Sequence, residues 1–208
     1  TLGNLVALQQ TNPVRLLAYS SISQAGFIIA PLAVSGITGN YQDGIFASVT
    51  YLIIYAFMNI GAFLSVHLFT NFTKSDNFYE WGGIAKHSPL TGVLTTVFFF
   101  SLAGIPPLGG WFAKFVVFRS LLSTGEIIGI SLAIVGAINA VIALVYYARI
   151  SKVIWMDELK NPEEEKSFEF QSPLKVVGAL TVLITFVAGI FPGIFSYLGE
   201  VSSIFFGN

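Results

Sequence analysis

The amino-acid sequence predicts an all-α fold: a polytopic transmembrane helical bundle with one interrupted helix. Three observations carry that prediction. Of 208 residues, 54% are hydrophobic and only 10% are charged, against about a quarter charged in an ordinary soluble domain. Several apolar runs reach the roughly 20 residues that a helix needs to cross a bilayer. One of these runs, Phe98–Phe118, is broken at its middle by Gly104-Ile105-Pro106-Pro107-Leu108-Gly109-Gly110. Paired prolines remove two backbone donors and clash with the preceding turn, so a continuous helix cannot pass through them.

Composition also excludes chemistry. The formal net charge of −1 offers no footprint for nucleic acid. The absence of cysteine rules out disulfides and thiolate-held iron–sulfur clusters or zinc in this chain. His67 and His87 are too few and too far apart to suggest a metal site.

Taken in order, the chain reads as one transmembrane domain over residues 1–208. Residues 1–10 read as the tail of a membrane helix, because Leu2–Leu8 is too short to span anything and Thr1 is not a methionine. Val14–Ile37 is the first full span, with Arg15 at its mouth and Ser20 and Ser23 in polar early turns. Small hydroxyl residues more often mark close helix packing than a site. Gly44–Phe69 is the second span and carries Asn59 at mid-membrane, where an amide needs a partner on another helix or a water. Thr70–Ser88 reads as a polar loop. Pro89–Leu122 is the interrupted element, Ile127–Trp155 a long helix ending in the interfacial anchor pattern Tyr146-Tyr147-Ala148-Arg149, and Met156–Ser172 a solvated linker containing Glu163-Glu164-Glu165. The last span runs over residues 173–195, and Pro192-Gly193 ends or kinks it before a weakly apolar tail.

The distribution of basic residues sets a topology. The two arms of Pro89–Leu122 would reach about 50 Å end to end, too long for one straight crossing and short for two. If the element crosses once, Arg15, Lys74, Lys86, Arg149, Lys152, Lys160, Lys166 and Lys175 share one face. The opposite loops, Gly36–Asp43 and Ser123–Glu126, hold no lysine or arginine. The positive-inside rule then makes the basic face cytoplasmic, and the glycosylation-like Asn71-Phe72-Thr73 lies on the wrong side to be used.

Discontinuous membrane helices survive where their freed backbone faces protein or a hydrated cavity, and transporters place binding sites there. Lys114 follows Pro107 by seven residues, about two turns into the second arm. Burial of its charge is costly and its titration is sensitive to desolvation, which suits a proton carrier; the structural alternative is a lysine that snorkels or pairs. Gly104, Pro106, Pro107, Gly109 and Gly110 form the hinge. Arg15, Ser20, Ser23, Asn59 and Asn139 are candidate polar residues of a hydrated path, although packing accounts for Asn139 at least as well. No carboxylate lies in a span core.

The segments Leu2-Gly3-Asn4-Leu5, RLLAYSSISQAGF (Arg15–Phe27), YLIIYAFMNIGAF (Tyr51–Phe63), SLAGIPPLGGWFAKFVVF (Ser101–Phe118) and the YYARI stretch at Tyr147 together resemble the antiporter-like subunits of proton-pumping NADH:quinone oxidoreductase, respiratory complex I. The combination with YxxMNxGAF favours the N type over its L and M relatives. The resemblance covers nearly the whole chain and matches the second half of an inverted-repeat antiporter-like fold.

It implies that Lys114 is the proton-carrying lysine of the second interrupted helix, with an upstream lysine and glutamate lying before Thr1. It implies no redox centre here, with FMN, iron–sulfur clusters and quinone in partner subunits. The implied partners are other membrane-arm subunits, neighbouring antiporter-like subunits among them, and the lipid bilayer. The implied location is the bacterial plasma membrane, or alternatively an organellar inner membrane or thylakoid. One departure is Val14-Arg15 where many relatives have Lys-Arg, so the role of that lysine is either unfilled here or taken by Arg15. The alternatives are a subunit of a multisubunit Na⁺/H⁺ antiporter or membrane-bound hydrogenase, and a structural scaffold in which Lys114 never titrates. A redox enzyme in its own right is disfavoured, since no dinucleotide loop or haem ligand pair is present.

Overall fold

Apolar sequence without strand-like alternation gives helices, and a computed structural model of the chain describes residues 1–158 and 172–206, the side chains of Ser172, Pro173 and Lys175 excepted. The expected Glu163-Glu164-Glu165 linker, Lys160 and Lys166 lie outside the described residues. In chain order the helices are α1 (Leu2–Gln9), α2 (Pro13–Thr38), α3 (Tyr41–Thr73), a 3₁₀ turn (Phe78–Trp81), α4 (Ile84–His87), α5 (Pro89–Ala103), α6 (Gly109–Ser123), α7 (Ile127–Met156), α8 (Ser172–Ile190) and α9 (Gly193–Phe206).

The boundaries follow local chemistry. Asn12 caps α2 by accepting from the Arg15 backbone N–H at 3.0 Å, beside a proline already suited to the first turn. Gly39, at φ +76°, ends it in the left-handed region. The 30 residues of α7 extend to about 45 Å, more than the roughly 30 Å of a bilayer core. On α7, Ile127, Ile134, Ile138, Val141 and Val145 form an exposed apolar stripe at helical spacing. Such a stripe is a liability in water and an ordinary lipid-facing surface in a membrane.

α3 is the hub: α2, α5, α6, α8 and α9 all pack on it, while α7 joins α1 to α5. The interrupted pair α5–α6 connects opposite ends of this bundle. At one end Trp155 Nε1 on α7 donates to Thr96 Oγ1 on α5 at 2.9 Å. At the other, Ser120 Oγ on α6 donates to the Asp43 carbonyl, beside the α2–α3 turn, at 3.4 Å.

Three expectations change. The segment 70–88 is more than a polar loop, because Phe78, Trp81, Ile84 and Ala85 are fully or almost fully buried under the bundle. The end or kink expected at Pro192-Gly193 is a sharp bend, and the weakly apolar tail beyond it is a second helix. α8 stops at Ile190 and α9 leaves at 83°, since Pro192 has no N–H to continue the ladder. Tyr146 and Tyr147 are not interfacial anchors. Both are fully buried, because α7 continues for nearly three more turns and Trp155, not the tyrosines, reaches the end of the helix.

Candidate functional site

The site starts from what a broken helix must do with its last carbonyls. α5 ends at Gly104, φ +95°, where the Gly104 N–H donates to the Phe100 and Ser101 carbonyls and the Ile105 N–H reaches the Phe100 carbonyl at 2.9 Å. That Schellman-type closure satisfies Phe100 and Ser101. It leaves the carbonyls of Leu102 and Ala103 without intrahelical partners, at the negative end of the α5 dipole.

Lys114, on the second turn of α6, fills that vacancy. Its Nζ donates to the Leu102 carbonyl at 2.9 Å and to the Ala103 carbonyl at 2.6 Å. The residue is 5% exposed, and Nζ sits 5.3 Å from the centroid of the Phe27 ring. Two hinge glycines make the approach possible. A Cβ on Gly104 would fall 2.8 Å from Lys114 Cδ, in a backbone conformation that side chains rarely adopt. A Cβ on Gly110 would overlap the Ser101 carbonyl. The restart of α6 is capped across the gap, with the Gly110 N–H donating to Ser101 Oγ at 3.1 Å. Gly109 packs against Ile54, Thr185 and Ala188. Pro106 and Pro107 lie in the non-helical gap.

From the lysine a buried polar chain runs through the bundle. Gln24 Nε2 shares the Leu102 carbonyl at 3.2 Å, and the Tyr51 hydroxyl donates to Gln24 Oε1. The Tyr147 hydroxyl bonds Ser20 Oγ at 2.8 Å, and its ring packs on that of Tyr146 at 4.5 Å between centroids. Tyr146 donates to Asn4 Oδ1 at 2.9 Å, and Asn4 Nδ2 donates to Asn139 Oδ1 at 3.0 Å. Asn139 Nδ2 ends the chain on Thr1 Oγ1 at 2.9 Å.

Of the five polar residues expected on a path, three gather here. Ser20 and Asn139 belong to the chain, and Ser23, 8% exposed, lines a cavity beside it together with Asn139. The other two do not join. The Arg15 side chain is exposed at the start of α2. Asn59 Oδ1 is buried without the expected hydrogen-bond partner, on the outward half of α3 beside exposed Ile60. Sequence reasoning missed Gln24, Tyr51, Tyr146, Tyr147, Asn4 and Phe27 as site residues. A usable signal was present: Ser20, Gln24 and Phe27 recur at i, i+4 and i+7, one helix face. Among the described residues no group of three His, Asp or Glu side chains is placed to hold a metal ion.

Comparison with known proteins identifies the fold family. The model of the NADH:quinone oxidoreductase/Mrp antiporter transmembrane family matches residues 1–142. The chain belongs to that family. It is 38% identical over 92% of its length to NADH-quinone oxidoreductase subunit N of Moorella thermoacetica, and 39% identical over 91% to NAD(P)H-quinone oxidoreductase subunit 2 of Gloeothece citriformis. It spans only 38% and 37% of those relatives. The name of the first agrees with the N-type resemblance drawn from LAYSSISQ and YxxMNxGAF. Among solved structures, a chain of respiratory complex I from Thermus thermophilus with bound aureothin aligns at TM-score 0.66 and 25% identity, covering 94% of this chain and 42% of that one. A chain of the Mrp complex from Dietzia sp. DQ12-45-1b aligns at TM-score 0.81 and 20% identity over 97% of this chain and 44% of its own, which shows the shared fold. An all-helical, antiporter-like membrane fold is therefore established.

Proposed function

We propose that this chain is a proton-translocating part of an N-type antiporter-like subunit in a complex I-type NADH:quinone oxidoreductase, and that Lys114 carries the proton. The observation that carries this reading is the way Nζ is held. Its fixed partners are two backbone carbonyls, which accept more strongly from an ammonium but still accept from a neutral amine. An ammonium has three N–H groups and the amine two, so both forms keep both bonds and proton loss demands little rearrangement. A lysine paired to a carboxylate would be held in its charged form far more firmly. Hydroxyl groups of Tyr147, Ser20 and Tyr146 both donate and accept and extend polar surroundings away from the lysine. Lys114 takes up and releases a proton as charge elsewhere in the complex changes.

On this reading the partners are other membrane-arm subunits, neighbouring antiporter-like ones included, and FMN, iron–sulfur clusters and quinone are held by other partner subunits of the complex. The setting is a bacterial plasma membrane, with the basic face cytoplasmic. The test is Lys114→Met in the intact complex in sealed vesicles, following NADH–quinone turnover and lumen acidification together. Collapse of both with normal assembly is expected. Wild-type proton stoichiometry would overturn the role of Lys114.

A further inference from the structure

If Lys114 carries the proton as proposed above, something must decide when it meets water. Phe27, on α2, stands at that boundary. One side of its ring is the partner of Lys114 Nζ at 5.3 Å. The same residue lines a cavity of about 170 Å³ between α2, α6 and α7, together with Ser23, Val117, Leu121, Asn139 and Thr1. That volume holds several waters, and water needs two to four polar partners to stay. Asn139 supplies its Oδ1, which accepts from Asn4 and can accept once more, while both of its N–H groups are already used. Ser23 supplies a hydroxyl that is 92% buried by its 8% exposure and makes no hydrogen bond of its own among the described residues. Lys114 is not part of the lining. A ring lies between the ammonium and a mostly apolar, water-sized space with these two polar groups on its wall.

The ring is held by stacking rather than by a hydrogen bond. Tyr51 stacks on it at 6.0 Å between centroids, and Phe118 meets it edge-on at 6.2 Å. Opposite stands Gly136, where an added Cβ would come within 3.1 Å of the Phe118 ring and 3.3 Å of the Phe27 ring. Glycine there leaves the two rings room that any side chain would take. Phe27 is itself almost buried, 7% exposed, and has no polar atom to satisfy. Turning it costs contacts with its neighbours but strands no hydrogen bond.

We infer that the Phe27 ring is a gate between Lys114 and the Ser23–Asn139 cavity. Closed, it holds the ammonium by a cation–π contact and keeps water from it. Turned aside toward Gly136, it lets the ammonium pass one proton to a cavity water, leaving a neutral amine and a hydronium; the reverse transfer reloads the lysine. This makes Phe27 a positioning and gating residue for Lys114, and the cavity its water contact.

The experiment is Phe27→Ala in the complete subunit within its membrane complex, in sealed vesicles. A gate predicts that the resting proton leak rises and acidification per electron falls while quinone reduction continues. Access is read separately. This chain has no cysteine, so Lys114→Cys can be labelled with a water-soluble methanethiosulfonate and read on its own peptide. Removing the ring should speed labelling about tenfold, the population change that goes with losing its stacking on Tyr51 and its edge contact with Phe118. Gly136→Leu, which crowds the rings, should slow it. If Phe27→Ala does not assemble, Phe27→Leu carries the same test. Unchanged leak and labelling overturn the gate, and so does lost pumping with unchanged labelling, which would leave Phe27 as packing. Lys114→Met run in parallel separates the two claims. If it abolishes pumping while Phe27 variants behave as wild type, only the gate fails. If it pumps normally, the lysine reading fails first.

Discussion

Prolines break two helices in this bundle, at Pro106-Pro107 and at Pro192, and the breaks touch: a Cβ on Gly189, near the end of α8, would overlap the Pro107 carbonyl. Their chemistry differs. At Phe191-Pro192 the helix restarts at once. Phe191 still donates to Val187 at 2.8 Å, and the Pro192 carbonyl is taken by the N–H groups of Phe195 and Ser196 at 3.0 Å. The result is an 83° bend bridged by these short-range backbone bonds. At Gly104–Leu108 five residues leave the helix, and two carbonyls are surrendered to a lysine side chain twelve and eleven residues away. A proline break by itself makes shape. It becomes a candidate site only where the freed carbonyls face a group that can change charge.

The contrast can be broken by experiment. The largest effect belongs to Lys114→Met, expected to abolish vectorial proton translocation, whereas Pro192→Ala should leave the proton-to-electron ratio at the wild-type value. Next comes a pair of glycines. Gly110→Val would drive a side chain into the Ser101 carbonyl and should cost roughly 1–3 kcal/mol as overpacking. Gly193→Val, with open space around its Cβ position, should be nearly neutral; thermal unfolding of the detergent-purified complex compares them. Equal losses at both would mean that the two breaks are equally constrained. Tyr147→Phe removes the hydroxyl that bonds Ser20 Oγ, and should cost about 1–3 kcal/mol for a buried group deprived of a partner. The smallest effects are the caps. Ser101→Ala removes the acceptor for the Gly110 N–H and should cost about 1 kcal/mol. Ser196→Ala, whose hydroxyl bonds the Gly193 carbonyl on an exposed turn, should stay within about 0.5 kcal/mol.

How legible this was from the chain alone depended on distance along it. The Gly104–Gly110 gap and Lys114 are encoded within one short stretch, so proline chemistry and the placement of a charge sufficed to find them. The hydroxyls of α2 were visible as an unusual polar patch, yet Ser20, Ser23 and Gln24 separate into different roles only when α5 and α7 lie against them. The tyrosine pair was misread because an aromatic pair near a basic residue has two physical solutions, an interface belt or a buried hydrogen-bonded core. Helix length and tilt, not composition, choose between them. Asn59 and Arg15 were reasonable polar candidates, yet among the described residues Asn59 Oδ1 has no hydrogen-bond partner and Arg15 is exposed, which a residue's type cannot reveal. The bend at Pro192 was anticipated only as an end or a kink, because the destination of α9 depends on its packing against α3.

Hydropathy, the missing proline donors and the cost of a charge in an apolar helix are local properties, and they suffice to place a helical membrane domain, an interrupted helix and a single lysine after the interruption. Which groups the lysine meets is a matter of packing: the carbonyls of Leu102 and Ala103, the Phe27 ring, and beyond them Gln24 with Tyr51 and the Tyr146–Asn4–Asn139 bonds. Those contacts join residues up to 142 positions apart. They are set by how helices cross, and crossing geometry is a property of packed surfaces rather than of any one segment.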